Sequence, residues 1–130
     1  MIQGKRAVII GASSGIGREL AIILSRAGYT MGLAARRMDL LAELQRQLPG
    51  LSYVKHLDIA YAQEAITGLE ELITSLGGID LIVISSGTGF LNPDLAWEPE
   101  LNTIAVNVSG FTAMATVAMR HFIRQGNGHL

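Results

Sequence analysis

The chain contains no cysteine. Disulfides, thiolate catalysis and cysteine-ligated metals are excluded within it, and the composition fits a reducing cytoplasm. Histidine is scarce: His56, His121 and His129 are scattered and share no ligand spacing, so no metal site is expected. Lysine occurs only as Lys5 and Lys55. Ten basic residues against 11 acidic ones leave a net charge of −1 with no basic stripe, which argues against a nucleic-acid partner. A signal-peptide layout is missing, because Arg6 cuts short any apolar run at the N-terminus. The fairly apolar run Thr103–Met119 is interrupted by Asn107, Ser109 and Gly110, and Arg120 and His121 follow it. It reads as a buried or interface helix, and no membrane partner is expected. Linkers, repeats and low-complexity tracts are likewise absent.

What is present is organised around residues 6–17. Ala7 to Ile10 form a short apolar run, read as a strand buried on both faces. Gly11, Gly15 and Gly17 follow within seven residues, and then a helical pattern places Ile16, Leu20, Ile23, Leu24 and Ala27 on one stripe. Strand, glycine turn and helix are the context a nucleotide-phosphate site requires. Gly11 allows a tight exit from the strand, Gly15 lets a pyrophosphate approach the backbone, and Gly17 lets the helix pack closely on the sheet. Unpaired N–H groups at the helix start, beside Ser13 and Ser14, favour an anion.

Strand and helix patterns then alternate. Strands are expected at 29–34, 52–57 and 79–84, the last strongly apolar and therefore central. Helices are expected at 39–48, with Asp39 helping to cap it, at 63–76, and at 100–125 after a loop over 85–99. Gly28 is read as a helix C′ residue. His129-Leu130 looks like the start of a fifth strand. Helices of ten or more residues between strands imply βαβ crossovers, hence an α/β, Rossmann-type doubly wound parallel sheet in a single domain over residues 1–130. Ligands in such sheets bind beyond the carboxyl ends of the strands.

The residues after each strand are informative. After the second come Ala35, Arg36 and Arg37. An NAD site usually has an acid here for the ribose 2′-hydroxyl, and Ala35 takes its place. A guanidinium binds the 2′-phosphate of NADP(H) bidentately, so Arg36 and then Arg37 are the candidates. Asp58, beside Ile59, follows the third strand and is either a nucleotide ligand or a cap for the segment from Ala60. Ser85, Ser86 and Gly87 follow the fourth.

The spacing Gly11-x-x-x-Gly15-x-Gly17, with Ala12-Ser13-Ser14 and Ile16, resembles the glycine motif of the short-chain dehydrogenase/reductase family, though Ile10 stands where that family usually has Thr. The resemblance implies an oxidoreductase that reduces small-molecule carbonyls or oxidises alcohols. Basic residues at 36 and 37 imply NADP(H) over NAD(H). It also implies that Asp58 accepts a hydrogen bond from the adenine amino group, and that Ser86 and Gly87 lie beside the ribose. The family's Asn-Asn-Ala-Gly is here Ile84-Ser85-Ser86-Gly87, with only the last glycine kept. Asn107 matches the family asparagine that bends the long helix and holds a water in the proton relay. A homo-oligomer through helix 100–125 is implied too.

The resemblance covers the first half of the family pattern. Tyr29, Tyr53 and Tyr61 are followed four residues later by Leu33, Leu57 and Ala65, so no Tyr-x-x-x-Lys pair occurs. The chain is therefore expected to be a truncated, cofactor-binding half of an enzyme, inactive alone. Alternatives are a non-catalytic nucleotide-binding or dimerisation module, and a related epimerase or methyltransferase.

Overall fold

Val8, Ile9 and Ile10 are almost wholly shielded from water, and they shape everything around them. They belong to β1 (Arg6–Ile10), whose side chains alternate between two cores. Val8 and Ile10 join one cluster, with Leu69, Leu72, Ile82 and Met114. Ala7 and Ile9 join the other, with Ala21, Met31, Leu33 and Leu41. A strand buried on both faces needs helices on both sides, and each buried Val or Ile contributes about 1.5–3 kcal/mol.

The computed structural model describes residues 4–130. Around β1 are β2 (Thr30–Ala35), β3 (Ser52–His56) and β4 (Leu81–Ile84), all parallel, in the order β3-β2-β1-β4. Helices α1 (Gly15–Arg26) and α2 (Met38–Gln47) cover one face. The other face holds α3 (Ala62–Leu76) and a long rod. The rod begins as α4 (Trp97–Ile104), widens to a π-helical segment over Ala105–Gly110, and continues as α5 (Phe111–Gln125).

The expected elements are present, with differences at their margins. The rod starts at Trp97, because Pro99 falls in its first turn, where a missing N–H costs nothing. Asp39 sits inside the first turn of α2; the N-cap is Arg37, and no side chain caps it. β4 is an outer strand of the four, as is β3, with β1 and β2 inside. Its outer edge meets His129, whose N–H donates to the Asp80 carbonyl at 3.0 Å and whose carbonyl accepts from Ile82 at 2.9 Å. His129 thus begins a fifth parallel strand, as its sequence pattern predicts.

The predicted stripe of α1 is rotated. Ile16 and Ile23 are exposed, while Gly17, Ala21 and Ser25 are buried. Gly17 lies so near the Gly11 carbonyl that the helix must turn this residue inward. Phe111 is half exposed. Met114, Val117, Ala118 and Phe122 form the packed face of the rod. The 29-residue rod Trp97–Gln125 is long and apolar enough to cross a membrane by length and composition, yet here it seats this face in the core against α3.

Candidate functional site

The carboxyl ends of the four strands open into one cavity of about 590 Å³. Parallel strands bring all their exits to the same edge, so four short, separate stretches of sequence meet there.

The floor is the glycine turn. Gly11 N–H donates to the Ala34 carbonyl at 2.8 Å, which ties the end of β1 to β2. Gly15 has φ +57°, a backbone shape that side-chain-bearing residues resist, and the space where its Cβ would stand is open. Ser14 is the extended N-cap of α1, and its side chain caps nothing. The first amides of α1 are therefore free to meet a ligand. Ser13, Ser14, Gly15 and Ile16 all line the cavity, whereas Gly17 stands behind it as a spacer.

Ala35, Arg36 and Arg37 make the next wall. Arg37 is 3.8 Å from the Asp39 carboxylate. Arg36 is exposed and has no ion pair among the described residues. Ala35, not an acid, ends β2, and Arg36 brings its guanidinium to this wall.

Leu57, Asp58 and Ile59 leave β3 along the same wall. One carboxylate oxygen of Asp58 accepts the Ala60 N–H at 3.0 Å and shapes the turn before α3. The expected cap is thus a turn of its own; the N-cap of α3 is Tyr61. The second oxygen of Asp58 has no partner among the described residues and stays available.

Ser85, Ser86 and Gly87 close the circle from β4. Ser85 N–H donates to the Ile10 carbonyl at 2.8 Å, extending the ladder beside the glycine turn. Asn107 does not line the cavity. Its Oδ1 accepts the Thr88 N–H at 2.9 Å, and its Nδ2 donates to the Thr88 carbonyl at 2.7 Å. It braces the loop after β4 from within the π-helical segment, where the rod departs from regular α geometry.

Sequence reasoning missed Thr88, Asn102 and Val106, which also line the cavity. Asn102 and Val106 are one turn apart on the rod, a spacing visible in the sequence. Nothing in it marked that side as facing the strand ends.

Comparison with known proteins agrees with this geometry. The family model for short chain dehydrogenase matches residues 5–130. An uncharacterized oxidoreductase of Myxococcus xanthus is 32% identical over 131 residues, covering 97% of this chain and 52% of the relative. Among solved structures, an alcohol dehydrogenase from Thermococcus sibiricus complexed with 5-hydroxy-NADP is 30% identical with a TM-score of 0.84, covering 96% of this chain and 56% of that one. A 7α-hydroxysteroid dehydrogenase complexed with NADH and 7-oxo glycochenodeoxycholic acid is 28% identical with a TM-score of 0.89, covering 97% and 51%. The chain spans about half the length of the curated relatives it matches.

Proposed function

Because this chain belongs to the short-chain dehydrogenase family, we propose that its cavity binds NADP(H) in preference to NAD(H), and that it is the cofactor-binding half of an oxidoreductase acting on small carbonyl or alcohol substrates. The observation that carries the cofactor choice is the end of β2, where Arg36 borders the cavity unpaired and no acid precedes it. A 2′-phosphate meets a free guanidinium there, and a bare ribose loses its usual carboxylate partner.

In this reading Gly11, Ser13, Ser14, Gly15 and the start of α1 hold the pyrophosphate. Gly17 makes that turn possible, with Ile16 over it. Arg37 is the second contact for the 2′-phosphate. Asp58 and Ile59 border the adenine, and Ser86 and Gly87 the ribose. Bound there, the cofactor would give a hydride to a carbonyl or take one from an alcohol, while this chain supplies orientation. Asn107 acts as a positioning residue, supporting the proton relay by fixing the loop that carries Ser86 and Gly87. A cytoplasmic location fits the absence of cysteine.

Titration with NADPH and NADH, followed by dihydronicotinamide fluorescence, tests the cofactor choice. Arg36→Asp is expected to weaken NADPH binding by about 10- to 100-fold, as loss of charge-assisted hydrogen bonds implies, and to improve NADH relative to it. Asn107→Ala is the control, expected to weaken both nucleotides alike. An unchanged preference in Arg36→Asp would remove Arg36 from the site.

A second copy of the chain is proposed to cover the outer side of the rod. Trp97, Leu101, Ile104, Val108 and Phe111 recur there at helical spacing and are exposed. Sedimentation at micromolar concentration should give a dimer or larger species. A single monomeric species would remove this part of the reading.

A further inference from the structure

The turn that leaves the rod lies far from the strand exits, beside the start of β4, and carries the pair Asn127-Gly128. Gly126, with φ +91°, ends α5, and Asn127 and Gly128 are both exposed. His129 follows at once and is paired with β4. The turn is therefore a short, wet connection between two well-seated elements.

Asn127 differs chemically from the other asparagines. The residue after it is glycine, so no Cβ shields the next amide nitrogen. Asn92 is followed by Pro93, which has no N–H. Asn102 and Asn107 stand inside the rod and precede the β-branched Thr103 and Val108. The Gly128 N–H has no hydrogen-bond partner among the described residues. The Asn127 side-chain carbonyl does have one: Gln125 Nε2 donates to its Oδ1 at 3.0 Å. Gln125 is itself fixed, since Nε2 also donates to the Ile79 carbonyl at 2.8 Å and Oε1 lies 2.9 Å from His121 Nε2. A held donor thus polarises an exposed carboxamide beside an unbonded backbone nitrogen.

We propose that Asn127 is a site of spontaneous covalent modification, with Gln125 as its activating residue. The Gly128 nitrogen attacks the side-chain carbonyl carbon of Asn127 and closes a succinimide. The side-chain nitrogen leaves as ammonia, taking the proton that the Gly128 amide gives up. Water, the only co-reactant, then opens the ring at either carbonyl. One opening leaves aspartate; the other leaves isoaspartate, in which the main chain runs through the former side chain. Negative charge grows on Oδ1 during the attack, and the Gln125 N–H is already aimed there. The product matters because the turn has no slack: a Cβ on Gly128 would stand 1.9 Å from Phe122 Cδ1. A longer main chain at this point unseats His129 from β4.

The test incubates the folded chain in mildly alkaline buffer and follows two tryptic peptides by mass. Peptide 125–130 holds Asn127, and peptide 56–120 holds Asn92, Asn102 and Asn107. Peptide 125–130 should give way to two products of equal mass, each heavier by the difference between a carboxyl and a carboxamide. Peptide 56–120 should stay unchanged, and Asn127→Ser should give neither product. Gln125→Leu, shown to be folded by circular dichroism, should convert about 3- to 10-fold more slowly, the worth of one hydrogen bond. Amide exchange at Ile82, whose N–H donates to the His129 carbonyl at 2.9 Å, should speed up in the converted chain. If peptide 125–130 keeps its mass for as long as peptide 56–120 does, Asn127 is not a modification site. Faster conversion in Gln125→Leu would mean that Gln125 restrains the amide and does not activate it. Unaltered exchange at Ile82 would overturn the unseating of His129.

Discussion

Gly17→Ala is expected to lower the thermal midpoint by about 10 °C and to abolish most nucleotide binding. The added Cβ would stand 2.2 Å from the Gly11 carbonyl oxygen, 3.0 Å from its carbon and 3.3 Å from Ile9 Cγ2. Two of these atoms are backbone and cannot rotate aside. Gly11 cannot retreat either. Its N–H is bonded to the Ala34 carbonyl, and its own Cβ position is already 2.8 Å from the Ser85 carbon. Something must shift at the one place where β1, β4 and α1 meet. Overpacking of this kind costs about 3 kcal/mol, the upper end of the usual range, because the obstacle is main chain. A loss of that size is a large fraction of the 5–15 kcal/mol of a typical domain and gives a midpoint shift of about 10 °C at this length. Gly15→Ala is the informative contrast. Its Cβ meets open space, so only the left-handed backbone penalty of about 1 kcal/mol applies. Equal midpoints for the two variants would mean that α1 slides off the turn at no cost and that Gly17 is not the spacer.

Gly110→Ala has an expected effect of similar size, and its sign separates local from tertiary control. Gly110 has φ −66° and ψ −45°, ordinary helical values. By helix propensity alone, alanine here should stabilise by about 1 kcal/mol. Its Cβ, however, would meet the Ile59 carbonyl oxygen at 2.2 Å and the carbonyl carbon at 2.9 Å. The rod would have to lift from the end of β3, carrying Asn102 and Val106 away from the cavity. We expect a loss of about 3 kcal/mol in urea denaturation and weaker NADPH binding. Ser109→Ala, at an exposed neighbour, should change little. A stabilised Gly110→Ala would show that the rod is not clamped on Ile59.

Much of the candidate site could be read without the fold. Arg36, Asp58 and Ser86 are legible because each follows a strand, and parallel strands of a doubly wound sheet bring their exits to one edge. Only the alternation of strands and helices had to be right for that, and hydrophobic period is a local property. The glycine turn was legible for the same reason, since its geometry spans a few consecutive residues.

The rotation of each helix about its axis was not legible. Ile16 and Ile23 look like core residues of α1, yet both face outward because Gly17 must meet Gly11. The apolar run of β4 reports burial but not position, and strand order places it outside β1. Asn102 carries no mark in the sequence that it borders the cavity. Its side of the rod was chosen by Gly110 meeting the Ile59 carbonyl and by Asn107 holding Thr88.

The sequence by itself determined the elements, their order and the chemistry at the strand exits, because these depend on neighbours in the chain. The tertiary structure alone decided which face of each helix is buried, where β4 lies and that the rod completes the cavity. Those outcomes turn on main-chain atoms of distant residues approaching to within a few ångströms, and no local pattern encodes such an approach.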